Sequence, residues 1–225
     1  MNLSVFKYVV FLVGISASYA QEVYVETSLS SASFDNFKNE DGVNTLENKY
    51  ARPVEIGIGV GAILNITENK RLKWDLGLNF NRYKINTSFR ALNTSVPTEY
   101  NLNYVSLKTG PYFSVINHSR IKLQLHAHSS LDYLIFGSNQ YNNVYVDLLE
   151  GKNFSKLVMN YHYGIAVEIT LSDSSSLYMS YDSKNGLTNS VENDESYRLN
   201  ASSVLIGFRF KLNKIHTFGQ LYKKN

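Results

Sequence analysis

Apolar and polar residues alternate at period two in eight stretches of this chain of 225 residues. From Leu72 to Phe80, for example, Leu72, Trp74, Leu76 and Leu78 share one face, and Lys73, Asp75, Gly77 and Asn79 the other. Successive side chains of a strand point to opposite faces, so this pattern predicts a strand with one apolar and one polar surface. The same reading predicts strands at 22–32, 54–66, 72–84, 103–115, 121–136, 157–171, 177–183 and 199–212. A tilted strand crosses a bilayer in roughly 9 to 11 residues, and only the seventh stretch falls short of that.

The connections alternate in length. Thr67–Arg71, Asn117–Arg120 and Ser172–Ser176 are short, whereas 33–53, 85–102, 137–156 and 184–198 are long and polar. Short turns on one side and long loops on the other, with an even strand count, predict an all-β fold: an eight-stranded antiparallel up-and-down transmembrane β-barrel with both ends on the short-turn side.

Facing follows from the alternation. Outward positions include Val54, Ile56, Ile58, Val60, Ala62 and Leu64; Val105, Leu107 and Phe113; Ile121, Leu123, Leu125, Leu131, Tyr133 and Ile135; Met159 through Ile169 at every second residue; and Val204, Ile206, Phe208 and Phe210. A slip of the third strand by one residue would put Lys73 in lipid, at a cost of about 2 to 4 kcal/mol at the midplane, so the register is strongly specified. Trp74, Phe113, Phe208 and Phe210 are expected in a girdle near the periplasmic edge. Tyr83, Tyr133, Tyr161 and Tyr181 are expected in one near the outer edge.

Glu26, Glu55, Lys73, Asp75, Lys108, Lys122, Asp132, Glu168, Arg209 and Lys211 fall on the inward face, with bases and acids nearly balanced. An eight-stranded barrel has room only for its own side chains, and unpaired charge there is costly, so a plug of internal ion pairs is expected. Gly57, Gly59, Gly61, Gly77, Gly110, Gly164 and Gly207 also point inward and make room for the long charged chains. Pro111 removes a ladder donor inside the fourth strand, and a bulge is expected at Gly110-Pro111.

Lys7, the apolar run Tyr8–Ile15 and Ser18-Tyr19-Ala20 read as a signal peptide at 1–20, cleaved after Ala20. The run is too short for a spanning helix, so insertion must be by strands. The 17 Tyr and 12 Phe against three Pro favour strands, and the absence of cysteine excludes disulfides, a thiol-linked lipid anchor and thiolate metal sites. Formal charge is +3, or +2 once Lys7 is removed, and the basic residues are dispersed, which argues against a nucleic-acid partner.

Candidate chemistry is sparse. His126 and His128 share the inward face of the fifth strand and His162 that of the sixth, so three imidazoles could meet a metal. No fourth ligand is marked, and the expectation is no metal or other cofactor, with the histidines joining a hydrogen-bond network around Asp132. A catalytic serine is not expected either, because Ser129 faces lipid while His126, Ser130 and Asp132 face inward. The sequons at Asn86 and Asn93 read as accidents of an Asn- and Ser-rich chain. Phe34, Phe37, Phe89, Tyr141, Tyr145 and Leu148 in the long loops are candidate contact anchors.

With a signal peptide, eight strands, inward glycines and the ending Val204-Leu205-Ile206-Gly207-Phe208-Arg209-Phe210, the chain resembles the small porin-like outer-membrane β-barrel proteins of Gram-negative bacteria, the OmpA/OmpX-type barrels, over residues 21–212. In that family the last strand ends on an aromatic read by the barrel-assembly machinery. Here 13 further residues, 213–225, follow as a short periplasmic tail, leaving Phe208 and Phe210 as the candidate signals. The resemblance implies location in the bacterial outer membrane, lipid contacts and a non-enzymatic role in which the four long loops serve envelope integrity or surface interaction. The alternatives are a conduit or binder for small solutes or lipids, and a secreted soluble barrel of lipocalin type, which needs an apolar interior and a polar exterior.

Overall fold

A computed structural model describes residues 21–38, 52–91, 94–141, 144–150, 154–187, 190–192 and 195–212. The expected signal peptide, the tail 213–225 and the tips of the long connections lie outside the described residues.

Strands β1 (Glu22–Lys38), β2 (Val54–Asn65), β3 (Leu72–Ala91), β4 (Thr94–Asn117), β5 (Ile121–Tyr141), β6 (Val144–Asp147), β7 (Leu157–Thr170), β8 (Ser175–Gly186), β9 (Ser190–Glu192) and β10 (Glu195–Lys211) form one sheet. Antiparallel pairing runs β1-β2-β3-β4-β5-β7-β8-β10, and β10 closes on β1 from Glu22↔Lys211 to Lys38↔Ser196. The two short strands only extend β5 and β10. The fold is therefore a closed eight-stranded up-and-down barrel, and closure removes the edges an open sheet would leave unpaired. The seventh barrel strand, β8, is 12 residues long and is not short after all.

Two of the three short turns are built by their own side chains, and the turn between β4 and β5 is closed by a backbone bond from His118 N to Ile121 O. Asn69 accepts from Arg71 N (3.0 Å) and Thr67 Oγ1 accepts from Leu72 N (3.1 Å), which holds Lys70 at a φ of 55°. Ser172 Oγ accepts from Ser175 N at 3.1 Å in the last turn. Such Asx- and Ser-type bonds replace the missing ladder partners.

Two expectations about the strands are corrected. Pairing of β4 with β5 is interrupted at Gly110-Pro111 but resumes in the same register, from Thr109↔Ser129 to Tyr112↔His126, so there is no bulge there. The register instead shifts between Asn103 and Tyr104 and between Ser114 and Ile116, and Ile135 and Phe136, and Val115 and Ile116, consequently face outward in succession. The stretch 85–102 is not a long loop: β3 and β4 stay paired from Leu72↔Phe113 to Ala91↔Thr94.

Period two persists through this extension, but its polarity inverts. Along the lower part of β4, Val105 and Leu107 face outward and Ser106 and Lys108 are buried. Above Tyr104, Asn101 and Asn103 face outward while Tyr100, Leu102 and Tyr104 are buried. The same inversion occurs on β3 between Phe80 and Arg82, on β10 between Ser202 and Val204, and on β1 above Leu29, where Ala32 and Phe34 are buried. Below the inversion the outside is hydrocarbon. Above it the outside is water, and the inside must supply the apolar core.

The exterior band is predominantly apolar, with Thr27 and Ser129 among its few polar positions. Val54, Ile56, Ile58 and Val60 on β2 and Val204, Ile206, Phe208 and Phe210 on β10 are all exposed, while Lys73, Asp75, Glu168 and Arg209 are buried. A surface of this kind is solvated by lipid, not by water, and the barrel is a transmembrane one of the outer-membrane type.

Candidate functional site: the barrel interior

The interior is stacked in layers along β5. Nearest the short turns, Glu22 accepts from Lys73 Nζ (2.8 Å), and Glu168 accepts from Arg209 (2.6 Å) and Lys122 (2.5 Å). Arg209 also donates to Gln124 Oε1 at 2.7 Å and lies over the rings of Tyr112 and Tyr178, 4.9 and 4.3 Å from the centroids. Carboxylate, amide and ring faces stand in for the water that so enclosed a guanidinium gives up.

One layer up, Glu26 accepts from Asn79 (2.7 Å), Lys108 (3.0 Å) and the Tyr178 hydroxyl (2.5 Å). His126 Nε2 lies 2.9 Å from Asp182, and His128 Nε2 lies 3.4 Å from Asp75, which has Lys108 Nζ at 3.7 Å. The two imidazoles stack with centroids 5.0 Å apart, and Tyr112 packs against both. Above them Ser130 Oγ sits 2.7 Å from Asp132 and 2.8 Å from His162 Nε2, and Lys184 bridges Asp132 and the Tyr83 hydroxyl. The top is apolar: Ala32, Phe34, Tyr83, Ile85, Tyr100, Leu102, Tyr104, Leu134, Phe154, Val158, Leu199 and Ala201 form one buried cluster, with Leu148 and Leu149 packed on it.

The glycines organise these contacts. Residues on neighbouring strands that are two apart around the barrel interact across a glycine on the strand between them. Glu26 reaches Asn79 across Gly59, and Tyr178 reaches Glu26 across Gly207. His126 reaches Asp182 across Gly164, where a Cβ would overlap the Tyr181 carbonyl oxygen and fall 2.6 Å from His126 Nε2. His128 and Asp75 flank Gly110, where a Cβ would overlap the Ala127 carbonyl oxygen and fall 2.7 Å from His128 Cα.

Of the expected inward charges, Glu26, Lys73, Asp75, Lys108, Asp132, Glu168 and Arg209 are buried in these layers, and Lys122 lies partly buried at their lower margin. Glu55 does not join them: it stands at the outer end of β2, where it lies 3.8 Å from the exposed Arg82. Lys211 is also outside, at the lower rim, donating to the Asp173 carbonyl. Both follow the inward parity but lie beyond the ends of the packed interior. Tyr83 is corrected as a girdle residue, because it shares the inward parity of Lys73 and Asp75 and is buried. Trp74, Phe113, Tyr161, Tyr181, Phe208 and Phe210 are exposed on the outer surface, and Tyr133 is half-buried there. Phe34 is core rather than a loop anchor, whereas Tyr145 is exposed; the side chains of Phe37, Phe89 and Tyr141 lie outside the described residues.

Sequence reasoning missed Glu22, Asp182 and Lys184. Glu22 opens β1, which is too Ser-rich for clear alternation, and Lys184 falls just past the expected end at 183. Asp182 alternates in phase with the inward Ser180 and Tyr178, and that parity could have found it.

Ser130, His162 and Asp132 do converge, but in the wrong order for nucleophilic catalysis. The carboxylate holds the serine and Lys184, and among the described residues the imidazole's hydrogen bond is to Ser130 and not to the orienting acid that a serine–histidine base needs. The neighbouring cavity, lined by Ser28, Asn79, Ser106, Lys108, Ser130 and Lys184 among others, has a volume of about 30 Å³, room for a water or two and not for a substrate.

No family model and no curated protein sequence matches this chain. Solved structures with a similar architecture include Neisserial surface protein A, at 12% identity over 84% of this chain and 97% of that one, with a TM-score of 0.49. They also include the Escherichia coli outer membrane protease OmpT, at 8% identity over 86% and 97%, TM-score 0.48, and the Pseudomonas aeruginosa outer membrane protein OprG, at 9% identity over 87% and 97%, TM-score 0.46. Likeness at this level concerns architecture alone and transfers no activity.

Proposed function

We propose that this outer-membrane barrel is a non-conducting, non-enzymatic anchor whose work is done by the structure it holds above the membrane, in surface interaction or envelope integrity. The observation that carries this reading is the filled interior: ion pairs from Lys122 to Lys184, then an apolar plug from Phe34 to Leu199. A conduit for small solutes needs a continuous gap through both, and a soluble lipocalin-type barrel needs a polar exterior in place of the apolar band. Neither matches.

The extended β3–β4 hairpin and the β5–β6 hairpin are the interaction surface in this reading. β6 displays Val144, Tyr145 and Val146, all exposed, on a strand paired on one side only among the described residues. Outer-membrane lipids contact the apolar band, and Phe208 and Phe210 on the closing strand serve the assembly machinery.

The test is a barrel with residues 86–98 and residues 140–147 both replaced by short turns, compared in cells with the full chain and with a deletion strain. Surface adhesion, aggregation and detergent sensitivity are scored, with heat-modifiable gel mobility as the control for folding. The reading expects the trimmed barrel to fold and to reproduce the deletion phenotype. A trimmed barrel that fully restores the wild-type phenotype would place the function in the membrane-embedded part and refute it.

A further inference from the structure

We propose that His126, His128 and Asp182 form a binding site inside the barrel for one divalent transition-metal ion of the zinc class. The ligand atoms these three residues offer lie within 4.8 Å of one another, and all three side chains are buried. His162, the third imidazole expected from the sequence, is instead bound to Ser130, and a carboxylate takes its place.

Three independent features point to a cation. The first is the donor set. Two imidazoles and a carboxylate suit zinc-class ions, and the two histidines, at i and i+2 on β5, present their rings side by side on one face. The second is unmet bonding capacity. His126 Nδ1 and both ring nitrogens of His128 are buried without a hydrogen-bond partner. Buried nitrogens of this kind are normally satisfied, and a metal would satisfy them. Asp75, beside His128, stands where a carboxylate stands when it orients a metal-binding imidazole, so Asp75 is a positioning residue for His128.

The third feature is charge. In this layer Glu26, Asp75 and Asp182 are carboxylates; Glu26 and Asp75 share the ammonium of Lys108 within ion-pair distance, whereas Asp182 pairs with His126. The layer below carries Lys73, Lys122 and Arg209 against Glu22 and Glu168, which offsets one of the two surplus negative charges. The layer above, Lys184 with Asp132, is neutral. The one negative charge that remains, in a medium where uncompensated charge is costly, favours a cation between the histidines. Bound there, it ties β5 to β8 across Gly164, and the enclosed position means that it enters as the strands close.

The test uses the mature chain refolded from denaturant into detergent with Co²⁺, which stands in for zinc and absorbs visibly in low-symmetry, four-coordinate sites. After gel filtration, retained metal is measured by elemental analysis. The expected result is about one Co²⁺ per chain with intense ligand-field absorption, lost in His126→Gln and His128→Gln and kept in His162→Gln and His118→Gln. Asp75→Asn should weaken retention by roughly 10- to 100-fold while the absorption maximum shifts. No retained metal in the wild type, a weak octahedral-type spectrum, or retention unchanged in the His126 and His128 variants would each overturn the proposal. Heat-modifiable mobility reports folding. Should those variants fail to fold, the wild-type spectrum alone decides between four-coordinate binding and none.

Discussion

Substituting alanine at Gly164 isolates the device on which the interior rests, a glycine that lets its neighbours on either side meet. A methyl group there overlaps the Tyr181 carbonyl oxygen and sits 2.6 Å from His126 Nε2, so β7 must move away from β8 and His126 must leave Asp182. Overpacking of this kind costs about 1 to 3 kcal/mol. Losing a buried hydrogen bond to a carboxylate adds about 1.5 to 3 kcal/mol, for a combined cost of about 2.5 to 6 kcal/mol. Gly186→Ala is the control, because its Cβ would fall 3.2 Å from the nearest atom, the Leu199 carbonyl oxygen, and a few tenths of an ångström of relaxation accommodate it. Urea unfolding in lipid vesicles, followed by the fluorescence of Trp74, measures both, since the midpoint and slope give the free energy. Gly164→Ala should lower stability by roughly 70-fold or more in the unfolding equilibrium, and Gly186→Ala by less than about tenfold. If the two variants behave alike, close approach across Gly164 has no energetic weight and the glycine argument fails.

Three further outcomes are expected. Val60→Arg, in the outward row of β2, should cost about 2 to 4 kcal/mol if it lies near the midplane, whereas Arg82→Ala, above the polarity inversion and bridged only loosely to Glu55, should change stability by less than about 1 kcal/mol; equal costs in the same unfolding assay would misplace the membrane boundary. Lys184→Met strands Asp132 in the interior and should cost about 3 to 5 kcal/mol, much of it regained in Lys184→Met/Asp132→Leu; no recovery would mean that Lys184 acts through more than this pair. In the β3–β4 extension, partial burial pushes the Glu99 carboxyl up, but hydrogen bonds from Lys84 and Asn101 outweigh it and hold the group below the ordinary glutamate range. That contribution is complete above the unfolded-state value and is lost as pH falls through the folded one; NMR titration of Glu99 at or above the free-glutamate value would contradict it.

The transmembrane part of the fold was legible because one rule holds along it: apolar outward, polar inward. That rule placed the strands around Leu72–Phe80 and Val204–Phe210 and the facing of most internal charges. It failed where the solvent changes. Above Phe80 and Tyr104 the alternation continues in opposite phase, so a search for a single phase reads 85–102 as loop when it is paired strand. Tyr104-Val105 and Tyr133-Leu134 mark the inversion as adjacent apolar residues, and that signal was available in the sequence. Tyr83 was misassigned for the same reason, since an aromatic near the outer edge suggests a girdle until its parity is counted. The partners of His126 and His128 were beyond reach, because a contact across an intervening glycine depends on the registers of three strands at once.

The most direct test of the central claim is conductance in planar bilayers, made on protein whose insertion is verified by heat-modifiable mobility. The ion-paired layers and the apolar plug above them predict a silent membrane at all voltages the bilayer withstands. Steady single-channel currents from the inserted wild-type barrel would show a continuous path through the interior and contradict the account.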